Sequence, residues 1–282
     1  MRSGTCAVAD GSSAQLRILS LGAGVQSTTI ALMMAHAEIA PSDRAIFADT
    51  HAEPAAVYRH LEWLLPRLPF PTDVVSAGDL GAEILAASSG EARNDARPPF
   101  YVKNPDGSRG ILRRQCTGDY KIDVIRKRVR ELLGVDRGHR VPAGRMVTQV
   151  IGISLDEAGR MKVSRDKWQA NEYPLVDLRM TRWDCEQWLR RNGYPIPPKS
   201  ACVFCPYRRR AEWRRLRDEA PEDFQRAIEI DRAIRTPGYG RLVGECYVHD
   251  SMVPLELVDL STAEENGQPN LWDDECEGMC GV

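Results

Sequence analysis

With 282 residues, 43% hydrophobic content and a formal net charge of -2, the chain is long enough to bury one large core, or one core with an appended lobe. No stretch approaches the roughly 20 apolar residues of a membrane helix, and residues 1–15 contain no apolar signal-peptide core, so a cytoplasmic protein with no membrane partner is expected. Eight cysteines in a chain of this kind point to metal or redox chemistry rather than to a disulfide framework.

Residues 1–15 read as a disordered leader. Residues 16–178 read as a nucleotide-binding α/β domain, because strand and helix patterns alternate through them. A strand is expected over 16–21 and a helix over 28–38. A second strand spans 44–48 and ends at Asp49, and its helix lies within 53–65, with Pro54 suited to the first turn. A third strand spans 72–76, and the apolar run 146–154 suits a buried parallel strand. Between them, residues 88–110 are rich in turn formers and have no apolar period, which predicts a mobile loop. A helical, cysteine-containing region follows over 179–260. Thr181 with Asp184 three residues on approximates a capping box, and another helix is expected over 222–235. Residues 261–282 form an acidic, cysteine-bearing tail.

The opening strand runs into "LSLGAGVQST". A parallel strand that meets a helix through small residues makes an anion site, because first-turn N–H groups point outward and the helix dipole adds to them. Gly22 and Gly24 let a ligand approach the backbone, while Ser20, Ser27 and Thr28 supply hydroxyls. A tight turn with no ligand has the same spacing. No Gly-Lys-Ser/Thr ending follows, so the common P-loop is excluded.

Four motifs in order carry more than any one of them: "LSLGAGVQST", "FADTHAEPAAVYRHLEWL", "CTGDYKIDVIRKRV" and "NEYPLVDLRMTRWDCEQWLRRNGYPIPPKSACVFC". Together they resemble the adenine-nucleotide α-hydrolase-like superfamily, in its branch of phosphoadenylyl-sulfate (PAPS) reductases and ATP-pyrophosphatase (PP-loop-type) sulfurtransferases. The resemblance implies a Rossmann-like (HUP-type) parallel sheet with flanking helices and a smaller, mainly helical C-terminal region. It further implies that Ser20, Gly22, Gly24, Gln26, Ser27 and Thr28 hold phosphates, that Asp49 and Thr50 border the adenosine, and that Arg160 lies at the mouth of the site. Pyrophosphatase members carry an aspartate where this chain has Gln26, so the turn is nearer to the reductase branch.

Cys202 and Cys205 form a C-x2-C pair, and the resemblance places Cys116 beside them as a third ligand. Three thiolates would hold a [4Fe-4S] cluster with one iron open to sulfide or substrate. The competing ligand is zinc, with a fourth donor from Cys246, Cys276 or Cys280. A thiol pair without metal, and Cys116 as a small buried residue, are the plain alternatives. In the tail, Glu275 and Cys276 partly resemble a terminal Glu-Cys-Gly motif, and Cys276 with Cys280 could relay sulfur or close as a disulfide. An inert tail is the plain alternative there. Arg113, Arg114 and Lys121 near Cys116, with Arg208, Arg209 and Arg210 after Cys205, are expected to form a positive rim suited to a phosphate-bearing substrate.

The resulting expectation is an ATP-dependent iron–sulfur sulfurtransferase, using ATP with Mg and a sulfur donor to thiolate a nucleobase in nucleic acid or a nucleoside. A reductase of PAPS or adenylyl sulfate is the alternative, and a non-catalytic nucleotide- or nucleic-acid-binding component is a third reading. Cys116, Cys202, Cys205, Cys276 and Cys280 are the candidate catalytic residues, and a homodimer is among the expectations.

Overall fold

The computed structural model describes residues 15–91, 98–236, 239, 242–261 and 265. β1 (Gln15–Ser20), β2 (Arg44–Asp49), β3 (Thr72–Ser76), β6 (Met146–Ile151) and β7 (Gln169–Glu172) form one sheet in the order β3-β2-β1-β6-β7. Every pairing in it is parallel. This is the α/β fold that the sequence implies. The chain moves outward from β1 to β2 and β3, then returns to the other side of β1 with β6, so a crevice opens between the carboxyl ends of β1 and β6. Ser20 and Ile151 stand in register there, which brings the turns after both strands to one level.

The helix after β1, α1 (Val25–Ala35), is buried at every position except the last. An apolar, two-sided helix of this sort must lie between layers. It packs against α6 (Arg182–Arg191), whose Cys185, Trp188 and Leu189 share its core cluster. The cap expected at Thr181 is present: the Asp184 N–H donates to Thr181 Oγ1 at 3.2 Å, and the Thr181 N–H donates to Asp184 Oδ2 at 2.9 Å.

The region expected as a loop over 88–110 contains regular elements among its described residues. Its start belongs to α3 (Leu80–Ser88), and β4 (Tyr101–Lys103) pairs antiparallel with β5 (Arg109–Ile111) across a turn at Asn104–Ser108. β4 also pairs with β8 (Glu245–Tyr247), which completes a second, three-stranded sheet. Strands of three residues are too short to show a period of two, and β8 lies more than 130 residues away in the chain, so neither was legible. Residues 92–97 lie outside the described residues. Residues 1–14 of the expected leader and most of the acidic tail, with Cys276 and Cys280, also lie outside them, while Gln15 begins β1.

The C-terminal helices α7 (Arg210–Glu219) and α8 (Pro221–Ile234) close over a core that mixes Leu80, Ile84 and Phe100 from the middle of the chain with Trp213, Phe224 and Ile230. Packing therefore crosses the expected boundary at 178/179 in both directions, since α6 joins α1 while α3 and β4 join α7 and α8. The rest of the first layer is α2 (Ala55–Leu64), the π-turn Gly118–Ile122 with α4 (Asp123–Leu132), and the short α5 (Pro174–Asp177). Among the described residues no helix is long and apolar enough to cross a membrane.

His60 of α2 is buried, bonds Thr28 Oγ1 through Nε2 at 3.0 Å and stacks on Trp63. Burial lowers its pKa to about 4. Between the ordinary histidine value of about 6.5 and that value, the unfolded chain binds a proton that the folded one does not, so stability falls as pH falls through this window. From pH 7 to pH 5 the loss from this residue is about 2 kcal/mol. Urea unfolding at the two pH values should show it, and His60→Gln should remove that part of the slope.

Candidate functional site

The turn after β1 has the expected backbone but a different use of its side chains. Gly22 is exposed and Gly24 half-buried, so main chain is open to solvent at both. Ala23 between them sits at φ 55°, a left-handed conformation that costs a non-glycine residue about 1 kcal/mol and turns the chain sharply into the helix. The hydroxyls face inward. Ser27 Oγ accepts from Gly22 N–H at 3.2 Å and donates to the Gly24 carbonyl at 3.3 Å. Thr28 is committed to His60, and Ser20 Oγ accepts from Gln149 Nε2 at 2.6 Å. Gln26 is also turned inward, donating to Ser154 Oγ at 3.4 Å and accepting from Arg182 Nη1 at 3.4 Å. What the turn leaves open is thus main chain at Gly22 and Gly24, backed from beneath by Gln26, Ser27 and Thr28.

Gly152, after β6, fits tightly against this turn. A Cβ there would stand 2.9 Å from Ser27 N and 3.1 Å from Ser27 Cα. Because both are backbone atoms, Gly152→Ala should cost about 1–3 kcal/mol by overpacking, read as a lower urea midpoint, and should loosen any ligand held at the α1 N-terminus.

The expected adenosine border lies on the neighbouring strand. Asp49 ends β2, mostly buried, and accepts from Tyr58 Oη at 2.8 Å and from His51 N–H at 2.8 Å. Thr50 follows it, with Oγ1 3.5 Å from Cys202 Sγ. Arg160 lies in the 3-10 turn Leu155–Arg160 beyond β6, where Nη1 pairs with Glu157 at 2.8 Å.

Cys116, Cys202 and Cys205, 86 or more residues apart across the first gap in sequence, line one pocket of about 60 Å³ together with Thr50, Arg114, Lys121 and Ser200. That is room for about four waters. Ser200 links the pocket to the turn after β1, since its Cβ would be 3.7 Å from a Cβ on Gly24. Two features hold the C-x2-C loop. Val203 N–H donates to the Ala52 carbonyl at 2.8 Å, and the buried Arg208 donates through Nη2 to the carbonyls of Ala201 (2.7 Å) and Cys202 (3.2 Å). Arg208 therefore fastens the loop rather than joining the expected positive rim. Arg113, Arg209 and Arg210 are exposed, and Arg209 precedes α7 as its cap.

Sequence reasoning missed Glu53. It is fully buried, and its carboxylate accepts from Lys121 Nζ at 3.1 Å and from Ser200 Oγ at 3.4 Å. One buried acid thus joins the β2–α2 loop, the π-turn and the approach to the cysteine pair. Its only signal was a charge before Pro54, which reads as an ordinary helix-start acid. Burial opposes the Lys121 charge, but Glu53 and the sulfurs of Cys202 and Cys205 hold its pKa above the usual lysine range. Burial and then Glu53 push the Cys202 thiol up to about 12. Burial and Cys205 raise Cys116, while Arg114 and Lys121 act in the opposite direction.

The five described cysteines are thiols. Among the described residues no three His, Cys, Asp or Glu side chains are gathered so as to hold a metal ion. A tetrahedral zinc would need thiolates about 3.8 Å apart, since each Zn–S bond is about 2.3 Å. The cysteines of a cluster bind different irons and stand wider. Three cysteines lining one pocket are of the donor type that a cluster or zinc takes, but as placed they form a ready site for neither among the described residues. Cys246, offered as a fourth zinc donor, is buried in β8 within the core cluster and does not line the pocket.

No family model and no curated protein matches the chain. Among solved structures, the chain is similar to a phosphoadenylyl-sulfate (PAPS) reductase from Candida auris, solved as a phosphate complex, at 14% identity and a TM-score of 0.41, over 64% of this chain and 74% of that one. The five-stranded parallel sheet with its helices is itself the fold implied by the four sequence motifs.

Proposed function

We propose that the protein is a nucleotide-dependent sulfur enzyme of the sulfonucleotide-reductase type, acting on adenylyl or phosphoadenylyl sulfate. One observation carries this reading: three cysteines line a pocket whose Ser200 wall stands beside Gly24, the residue that leads into α1. The N–H groups there would hold the nucleotide's phosphate, and its sulfuryl end would reach the cysteines. A thiolate attacks the sulfuryl sulfur, an S–S bond forms, and the S–O bond breaks with the electron pair leaving on the nucleotide phosphate. A second thiolate attacks the first cysteine's sulfur, closing a disulfide and releasing sulfite. An external dithiol supplies the two electrons that restore both thiols. Holding the sulfuryl sulfur next to a thiolate would account for much of the rate.

A second reading, ATP-dependent sulfur transfer, is favoured by the number of cysteines, since a reductase of this type needs only two. Cys116, Cys202 and Cys205 would then hold an iron–sulfur cluster, which would supply an open iron for sulfide. Against it, Gln26 occupies the position where the pyrophosphatases carry an acid, and its amide is already bonded to Ser154 and Arg182. The test is to assay sulfite release from the two sulfonucleotides with a dithiol, beside pyrophosphate release from ATP with candidate acceptors. Sulfite alone supports the reductase, pyrophosphate alone the transferase, and neither product with either substrate refutes both.

A further inference from the structure

Two cations face the thiol pocket, and they are not equivalent. Lys121 is already neutralised by the buried Glu53 carboxylate. Arg114, also in the pocket wall, has no acidic partner among the described residues. Its Nε is buried with no hydrogen-bond partner, and its guanidinium lies 5.5 Å from the centroid of the Tyr207 ring. Protein atoms cover that nitrogen, so the donors left open to a ligand are those of the two terminal nitrogens. The aromatic contact fixes the plane of the group without using its N–H donors, which leaves them for a ligand.

We infer that Arg114 is the anion-receiving, specificity-determining residue of this pocket, binding a tetrahedral sulfuryl or phosphoryl group beside the cysteines. The inference rests on the reading of the pocket as the place of the sulfur chemistry. Charge supports the choice of ligand: Glu53 cancels Lys121, so Arg114 provides the net positive charge of the wall. Geometry supports it as well, because a planar guanidinium can present two parallel N–H groups to two oxygens of one tetrahedral anion. A neutral sulfur acceptor would leave those donors unsatisfied, so the pocket discriminates against it.

The probes are sulfate, phosphate and adenosine 5′-monophosphate, and the readout is the rate at which iodoacetamide alkylates Cys116, Cys202 and Cys205, resolved by peptide mass analysis. In the unaltered protein sulfate should slow alkylation. Arg114→Ala should weaken this protection about tenfold or more in sulfate concentration, and Arg114→Lys should retain part of it, since the charge stays and the fork is lost. The sulfate and phosphate arms tell a sulfuryl from a phosphoryl preference. Arg114→Gln is the second variant should the alanine protein melt early. Absence of protection by either anion in the unaltered protein, or equal protection in Arg114→Ala and Arg114→Gln, overturns the inference. Protection by sulfate with none from the nucleotide leaves Arg114 as the receptor and counts instead against the adenine-nucleotide reading.

Discussion

Serine at two of the three positions Cys116, Cys202 and Cys205 is expected to abolish sulfite release if the reductase chemistry holds, and serine at any of the three to abolish pyrophosphate-coupled transfer if the transferase chemistry holds, in each case with a fall of about three orders of magnitude or more. The physical reason is that a serine hydroxyl matches the size of the thiol but neither forms a persistent S–S bond nor ligates iron well. Stability should change little, because all three side chains are half-buried at a pocket wall rather than sealed in the core. Cys185→Ser is the control. That thiol is fully buried between α6 and α1, its pKa pushed up to about 12 mainly by burial, so the serine variant should lose about 1 kcal/mol of stability and keep its activity. Iron and sulfide analysis of anaerobically purified protein separates the two proposed chemistries: loss of bound iron in each of the three variants supports the transferase. Retained turnover in all three would show that the pocket is not where sulfur is handled.

Glu53→Ala should give the largest loss of stability among single changes at the site. The carboxylate is 1% exposed and Lys121 is 33% exposed at the side chain, so removing the acid leaves an ammonium and a serine hydroxyl without their common partner. Breaking a buried pair costs about 3–5 kcal/mol, and the partial solvent access of Lys121 puts the expected loss near the lower figure, about 3 kcal/mol. Glu53→Gln should cost less, since its carbonyl oxygen still accepts from Lys121 while its NH2 can donate to Ser200 Oγ, which turns its own proton away. A double-mutant cycle with Lys121→Met isolates the pair: if Lys121→Met fails to recover any of the loss of Glu53→Ala, the ion pair is not its cause. The same change should weaken nucleotide binding, because Ser200 stands between the pocket and Gly24.

Local signals in the chain sufficed for several elements. The strands at 44–49 and 72–76, the cap at Thr181 and the glycine-spaced turn after β1 each depend on residues within about a dozen positions, so pattern and capping chemistry reveal them directly. The parallel arrangement followed from alternation, because parallel neighbours require crossover connections. The brief strands β4, β5 and β8 and the helix α3 were not readable. α3, β4 and β8 share a core with Trp213 and Phe204, which lie far from α3 and β4 in the chain, while the exposed β5 is held by its pairing with β4.

At the site itself, residue types spoke for chemistry but not for direction. Sequence alone identified the cysteines, the backbone opening at Gly22 and Gly24, and the acid-to-Gln26 departure. Only tertiary structure decided that Ser27, Thr28 and Gln26 turn inward while the main chain faces outward, that Arg208 holds a loop rather than a ligand, and that Glu53 cancels Lys121 and leaves Arg114 available. Side-chain direction and pairing are set by packing and by competition for buried hydrogen bonds between segments as much as 156 residues apart, and no local pattern encodes which of several chemically suitable partners wins that competition.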